Sequence, residues 1–146
     1  MPGSQKLRRI FVVDDEQVIA STLATILCNH GFDATSFCKP REALLASRSE
    51  APDLLISDVV MPSLSGIELA TQIVEAQPEC KVILFSGQAL TIDFLDGARK
   101  AGYHFEILTK PVHPAELLRK IETLADQPQP PMPESEPRKN LFSRSA

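Results

Sequence analysis

Leu54-Leu55-Ile56-Ser57-Asp58-Val59-Val60-Met61-Pro62-Ser63-Leu64-Ser65-Gly66 decides how the rest of the chain is read. A short apolar run that ends in an acid and then a Pro/Ser/Gly cluster reads as a buried strand emptying into a loop. Leaving a lone carboxylate inside such a run would be costly. Asp58 is therefore expected at the carboxyl end of its strand, at the mouth of a crevice. In open α/β sheets that edge is where ligands bind.

Working outward, Ile10-Phe11-Val12-Val13 is a second apolar run, and it too ends in acids, Asp14-Asp15. Val82-Ile83-Leu84-Phe85 is a third, ending in Ser86-Gly87. Phe32 to Phe37 and Phe105 to Leu108 mix polar with apolar residues and read as half-exposed strands. Helical periodicity fills the intervals. Ile19, Leu23, Ile26 and Leu27 mark a first helix, stopped by Asn29-His30-Gly31. Pro40 to Arg48 forms a second, with proline suited to its first turn. A third runs from Ile67 to Ala76 with Ile67, Ala70 and Val74 apolar, and a fourth from Leu90 to Ala101, capped by Gly102. The last starts near Pro114 and carries Leu117, Ile121 and Leu124.

Five strands alternating with five helices predict a doubly wound parallel sheet with right-handed crossovers. The all-apolar first, third and fourth strands suit the centre of the sheet, and the mixed second and fifth suit its edges. That is the flavodoxin-like order 2-1-3-4-5, whose crevice lies between the first and third strands.

At 146 residues the chain is long enough for one domain with a real core, and 43% hydrophobic with 23% charged residues is ordinary globular composition. A net charge of −4 argues against direct nucleic-acid binding, which needs a basic face. No apolar run approaches the ~18 residues of a membrane span. The N-terminus lacks an apolar signal region, because Asp14-Asp15-Glu16 follows its basic residues too soon. Cys28, Cys38 and Cys80 are odd in number and lack ligand spacing, so they read as free thiols in a reducing cytoplasm. Residues 1–6 are expected to be a flexible lead, 7–125 the domain, and 126–146 a Pro-rich disordered tail too short to hold an output domain.

The strand ends bring Asp14, Asp15, Asp58, Ser86 and Lys110 to one edge. Crowded carboxylates repel: at an effective dielectric of about 20, two unit charges ~4 Å apart cost roughly 4 kcal/mol. Such a cluster stays ionised when a cation holds it. Oxygen-only ligation favours Mg2+, with room for waters and a phosphate oxygen. Lys110 supplies a point charge and Ser86 a donor for further phosphate oxygens, which makes the crevice a place for phosphoryl transfer onto Asp58.

Val12-Val13-Asp14-Asp15-Glu16, Asp58-Val59-Val60-Met61-Pro62 with Gly66, Ser86-Gly87 and Lys110-Pro111 together resemble the receiver domain of two-component response regulators, in a stand-alone, chemotaxis-regulator-like form. The resemblance spans roughly residues 7 to 125. It implies that Asp58 is the phosphoacceptor and that Asp14 and Asp15 bind Mg2+, Asp15 the more directly. It also implies that Asp58 and the carbonyl of Val60 complete the metal shell, that Ser86 and Lys110 hold the phosphoryl group, and that Lys110-Pro111 is cis. Met61-Pro62 and Gly66 shape the loop, and Gly87, Ala89 and Pro111 allow close approach. His30, His104 and His113 fall in three different connections and read as structural or solvated.

The resemblance implies a cytoplasmic signalling switch fed by a histidine kinase or phosphotransfer protein. Its output would be a protein partner on the face of the fourth helix, fifth strand and fifth helix, with no direct nucleic-acid contact and no membrane insertion. With no separate substrate, it is not an enzyme. Two departures stand out. Ile107 occupies the position, three before the lysine, where many receivers carry Phe or Tyr. The segment from Ala101-Gly102 to Lys110 is also one residue longer than usual, so either Phe105 substitutes through a bulge or the aromatic switch is absent. Val60 and Gln88 flank the path of an attacking water, and apolar Val60 cannot orient one, so a slowly hydrolysing phosphoryl-Asp is expected. The rivals are a docking scaffold that works without phosphorylation, and a hydrolase, which would need an acid/base carboxylate where Val60 stands.

Overall fold

The computed structural model describes residues 7–87 and 91–126. Its elements alternate strictly: β1 (Arg9–Val13), α1 (Gln17–Asn29), β2 (Asp33–Phe37), α2 (Pro40–Ser49), β3 (Leu54–Asp58), α3 (Gly66–Ala76), β4 (Lys81–Ser86), α4 (Thr91–Lys100), β5 (Glu106–Thr109) and α5 (Pro114–Asp126). The five strands form one parallel sheet in the order β2-β1-β3-β4-β5, the order expected from their composition. All of β3 is buried, whereas β2 alternates exposed and half-buried residues as an edge does. The lead expected to be flexible (residues 1–6), residues Gln88 to Leu90 and the expected Pro-rich tail lie outside the described residues, except that Asp126, expected to begin the tail, ends α5.

Strand alternation splits the core in two. Ile10, Val12, Leu54, Ile56, Ile83, Phe85 and Leu108 face α1 and α5, meeting Leu23, Leu27, Leu117, Ile121 and Leu124. Phe11, Val13, Leu55, Val82 and Leu84 face the other way, onto Ala43 of α2 and Leu69, Ala70 and Ile73 of α3. Each fully buried Leu or Ile contributes about 1.5–3 kcal/mol, so the sheet is clamped from both faces.

Two helices turn a different face inward from the one their bulkiest residues suggest. α1 buries Ala20, Leu23, Ala24 and Leu27, and Ile19 is 36% exposed. α3 buries Leu69, Ala70 and Ile73, with Ile67 and Val74 only half-buried. In both, an alanine takes a buried position, while Ile19 of α1 and Ile67 and Val74 of α3 lie at the edge of the inward face. α5 buries the expected Leu117, Ile121 and Leu124.

Candidate functional site

The register sets the five expected groups side by side. Val13 is level with Ser57 and Asp58 with Phe85, while Ser86 is level with Thr109. Asp14 and Asp15, Asp58, Ser86 and Lys110 therefore emerge together at the carboxyl edge, within about two residues of one another along the strands. The crevice has a volume of about 220 Å³ and is lined by Asp58, Val59, Val60, Phe85, Ser86, Gly87 and Lys110.

The three acids converge. Asp14, Asp15 and Asp58 each offer a carboxylate oxygen within 4.8 Å of the others. Asp14 and Asp58 are buried and Asp15 is exposed. Lys110 Nζ lies 3.1 Å from Asp58 Oδ2. Three carboxylates and one ammonium leave two negative charges, which one divalent cation would offset. Asp14 Oδ1 accepts from the Glu16 N–H at 2.9 Å, but its Oδ2 is buried with no hydrogen-bond partner. A buried charged oxygen without a partner is expensive, and a small hard cation satisfies it. Burial pushes the Asp14 carboxyl above its ordinary value of 3.8, and the neighbouring charges of Asp58 and Asp15 push the same way. The Glu16 amide and Lys110 pull it back without cancelling the rise.

The loop after β3 shows why its small residues stand where they do. A Cβ on Gly66 would sit 2.0 Å from the Asp58 carbonyl oxygen, so no other residue fits. The Gly66 N–H donates to Val59 O at 2.8 Å. Ser65 caps α3 with a reciprocal pair: its hydroxyl accepts from the Glu68 N–H at 3.1 Å, and Glu68 Oε1 accepts from the Ser65 N–H at 3.2 Å. Between them Ser63 takes φ +68, and Leu64 N–H donates to Pro62 O at 2.8 Å, which is the rarer, strained γ-turn. Val60, 62% exposed, projects beside the crevice. Gly87 is less constrained than expected, since a Cβ there would make ordinary contacts of 3.8 and 3.9 Å with the Lys110 side chain.

Lys110-Pro111 is cis. β5 pairs with β4 one-to-one from Glu106 opposite Ile83 to Thr109 opposite Ser86, without a bulge. Ile107 therefore holds the position three before Lys110, and Phe105 precedes the strand, stacked on Tyr103 with centroids 5.8 Å apart. The aromatic at that position is absent, not displaced. His30, His104 and His113 are exposed and away from the crevice, with a His30 ring nitrogen 2.9 Å from Ile26 O. The cysteines are free thiols.

One residue at the site escaped the sequence reading. Ser57 is fully buried, and its hydroxyl donates to the Asp58 carbonyl oxygen at 2.8 Å, satisfying the backbone of the central acid. A hydroxyl inside an otherwise apolar strand was the available signal.

A doubly wound parallel sheet with an acid cluster at its switch point defines a class of ligand-binding α/β domains. Within that class, the family model for the response regulator receiver domain matches residues 10–122, and the chain belongs to that family. It is similar to the transcriptional regulatory protein CreB of Escherichia coli (strain K12), 31% identical over 79% of this chain and 49% of that protein. It is also similar to the alkaline phosphatase synthesis transcriptional regulatory protein PhoP of Bacillus subtilis (strain 168), 28% identical over 88% of this chain and 53% of that one. The chain thus spans about half the length of these relatives. Among solved structures, a CheY-like receiver domain protein from Methanospirillum hungatei JF-1 superposes with TM-score 0.73 at 29% identity, over 81% of this chain and 93% of that one. A receiver domain protein from Clostridium thermocellum gives 0.72 at 30% identity, over 82% and 94%.

Proposed function

We propose that this domain is a phosphorylation-dependent switch in which Asp58 accepts a phosphoryl group from a histidine kinase or phosphotransfer protein. An Asp58 carboxylate oxygen attacks phosphorus, the P–N bond to the donor histidine breaks, and the imidazole keeps the electron pair. Asp14, Asp15, Asp58 and the Val60 carbonyl would hold Mg2+, which when bound neutralises charge on the transferring group. Lys110 passes from its ion pair with Asp58 to a phosphoryl oxygen, and the Ser86 hydroxyl donates to another. Bound in this way, the phosphoryl group draws Ser86 and Lys110 inward and biases the α4–β5–α5 face between two arrangements that a protein partner distinguishes. The domain takes part in its own phosphorylation and has no separate substrate, so it acts as a switch and not as an enzyme. A cytoplasmic setting follows from a kinase as donor. The transcriptional roles in the names of CreB and PhoP belong to those proteins, and no nucleic-acid contact is proposed for this chain.

The observation that carries the reading is the convergence of three carboxylates, one with an orphaned buried oxygen, on a carboxylate held 3.1 Å from Lys110. Incubation with Mg2+ and acetyl phosphate, followed by intact mass, tests it. One labile phosphoryl group, absent in Asp58→Asn, is the expected result. No uptake would leave a docking scaffold, and turnover of many equivalents would make the protein a hydrolase.

A further inference from the structure

Tyr103 stands at the opposite end of β5 from Lys110, and three elements meet on it. Its N–H donates to Ala98 O of α4 at 2.9 Å, in a helix end closed by Gly102 at φ +101. Its ring stacks on Phe105 at an interplanar angle of 28°. Its hydroxyl donates to Oε2 of Glu75 on α3, 28 positions away in sequence. Nothing in the phosphoryl chemistry uses this junction.

β5 joins the junction to the site. It is four residues long, about 13 Å, with Lys110 following one end and Phe105 preceding the other. It is also an edge strand, hydrogen-bonded to β4 alone, so it can shift without disturbing a second ladder. The central strands are held on both sides. At the place where a ring could swing, this chain has Ile107, half-buried and stiff at χ1. A pull on Lys110, which directly follows β5, therefore passes along it as movement of the strand itself. A displacement of about 1 Å takes an O–H···O contact out of hydrogen-bond range.

We infer that the Tyr103–Glu75 hydrogen bond is a latch that holds the α4–β5 connection on α3, and that phosphorylation of Asp58 releases it. The inference rests on the phosphoacceptor reading of Asp58 and adds the route by which that site is read. Glu75 is exposed and Tyr103 half-buried, so the bond is partly solvated and weak enough to open. Coupling is reciprocal: if phosphorylation opens the latch, removing the latch favours phosphorylation.

Tyr103 is the one tyrosine of the chain, which has no tryptophan, so its emission reports this junction alone. A phenol bonded to a carboxylate emits weakly, because the excited hydroxyl passes its proton to the acceptor. The full chain is treated with Mg2+ and acetyl phosphate, with tyrosine fluorescence and intact mass followed together. Emission is expected to rise in step with phosphoryl uptake. Glu75→Gln should emit strongly from the start, lose the response, and reach a ratio of phosphorylated to free protein about fivefold higher at equilibrium with acetyl phosphate and acetate, at the low end of measured couplings. Tyr103→Phe, which keeps the stacked ring, should show the same gain in that ratio. Full uptake with unchanged emission, or the unmodified protein's ratio in both variants, would overturn the latch and leave the phosphoacceptor reading standing. No uptake by the unmodified chain would overturn both.

Discussion

β3 has an aspartate at each end, and the two are used in opposite ways. Asp53, just before the strand, is closed off by backbone. Its Oδ2 accepts from the N–H groups of Arg8 at 3.0 Å and Arg9 at 2.9 Å. Its own N–H donates to Arg9 O, and its carbonyl accepts from the Lys81 N–H at 3.0 Å, so one residue ties β1, β3 and β4 together. Asp58, about 17 Å along the strand, faces two other acids and one ammonium. One carboxylate has an oxygen taken by two amides that cannot leave. The other is surrounded by groups that a cation and a phosphoryl oxygen can recruit. Chemistry collects where the backbone leaves charge uncommitted.

The sharpest test of this contrast replaces each acid in turn. Asp58→Asn should abolish phosphoryl uptake from acetyl phosphate and leave the far-UV CD spectrum unchanged. Asp53→Ala should keep uptake and lose about 2 kcal/mol of stability in urea, from two amides deprived of their acceptor. Loss of uptake in Asp53→Ala would erase the distinction between the two ends. At the carboxyl end the close approach of Gly66 to the Asp58 carbonyl predicts that Gly66→Ala costs about 3 kcal/mol by overpacking, seen as a lower midpoint in the same titration.

Val60→Asn should shorten the life of the phosphoryl-Asp several-fold, because an amide can orient a water that valine cannot. An unchanged decay of the phosphorylated mass would refute a role for that side chain. Asp14→Asn should stabilise the metal-free protein by about 1 kcal/mol, by removing a buried charge that lacks a full set of partners. The sign follows from the raised carboxyl of Asp14. The folded state holds that proton more tightly than the unfolded chain does, so its contribution is present below 3.8 and is lost as pH rises through the folded-state value. The stability of Asp14→Asn should therefore fall less with pH than that of the unmodified protein, and Mg2+ should raise its melting temperature less. The smallest effect belongs to the turn between the acid and α3. Ser63→Gly relieves the positive φ and should gain about 0.5 kcal/mol, net of the added freedom of the unfolded chain.

The strand order and the five site groups were legible because each depends on the type of residue at a strand end. Apolar runs ending in Asp14-Asp15, Asp58 and Ser86 can be aligned without knowing how helices pack. The inward faces of α1 and α3 were less legible. Ile19 and Ile67 are more hydrophobic than Ala20 and Ala70, yet the alanines are the buried ones. The role of Asp53 had no sequence signal, since its partners are main-chain N–H groups that every residue but proline carries. The same holds for Tyr103 and Glu75, whose meeting depends on how the α4–β5 connection folds back on α3.

Cys80 sits in the α3–β4 turn, buried, its thiol donating to Lys81 O at 3.3 Å, and burial pushes its pKa up to about 12. Cys28, on the last turn of α1, is exposed. An alkylating reagent will mark the second at once and the first only during excursions that open the turn. The molecule thus carries a built-in clock for its own breathing, readable by mass in native buffer with no denaturant.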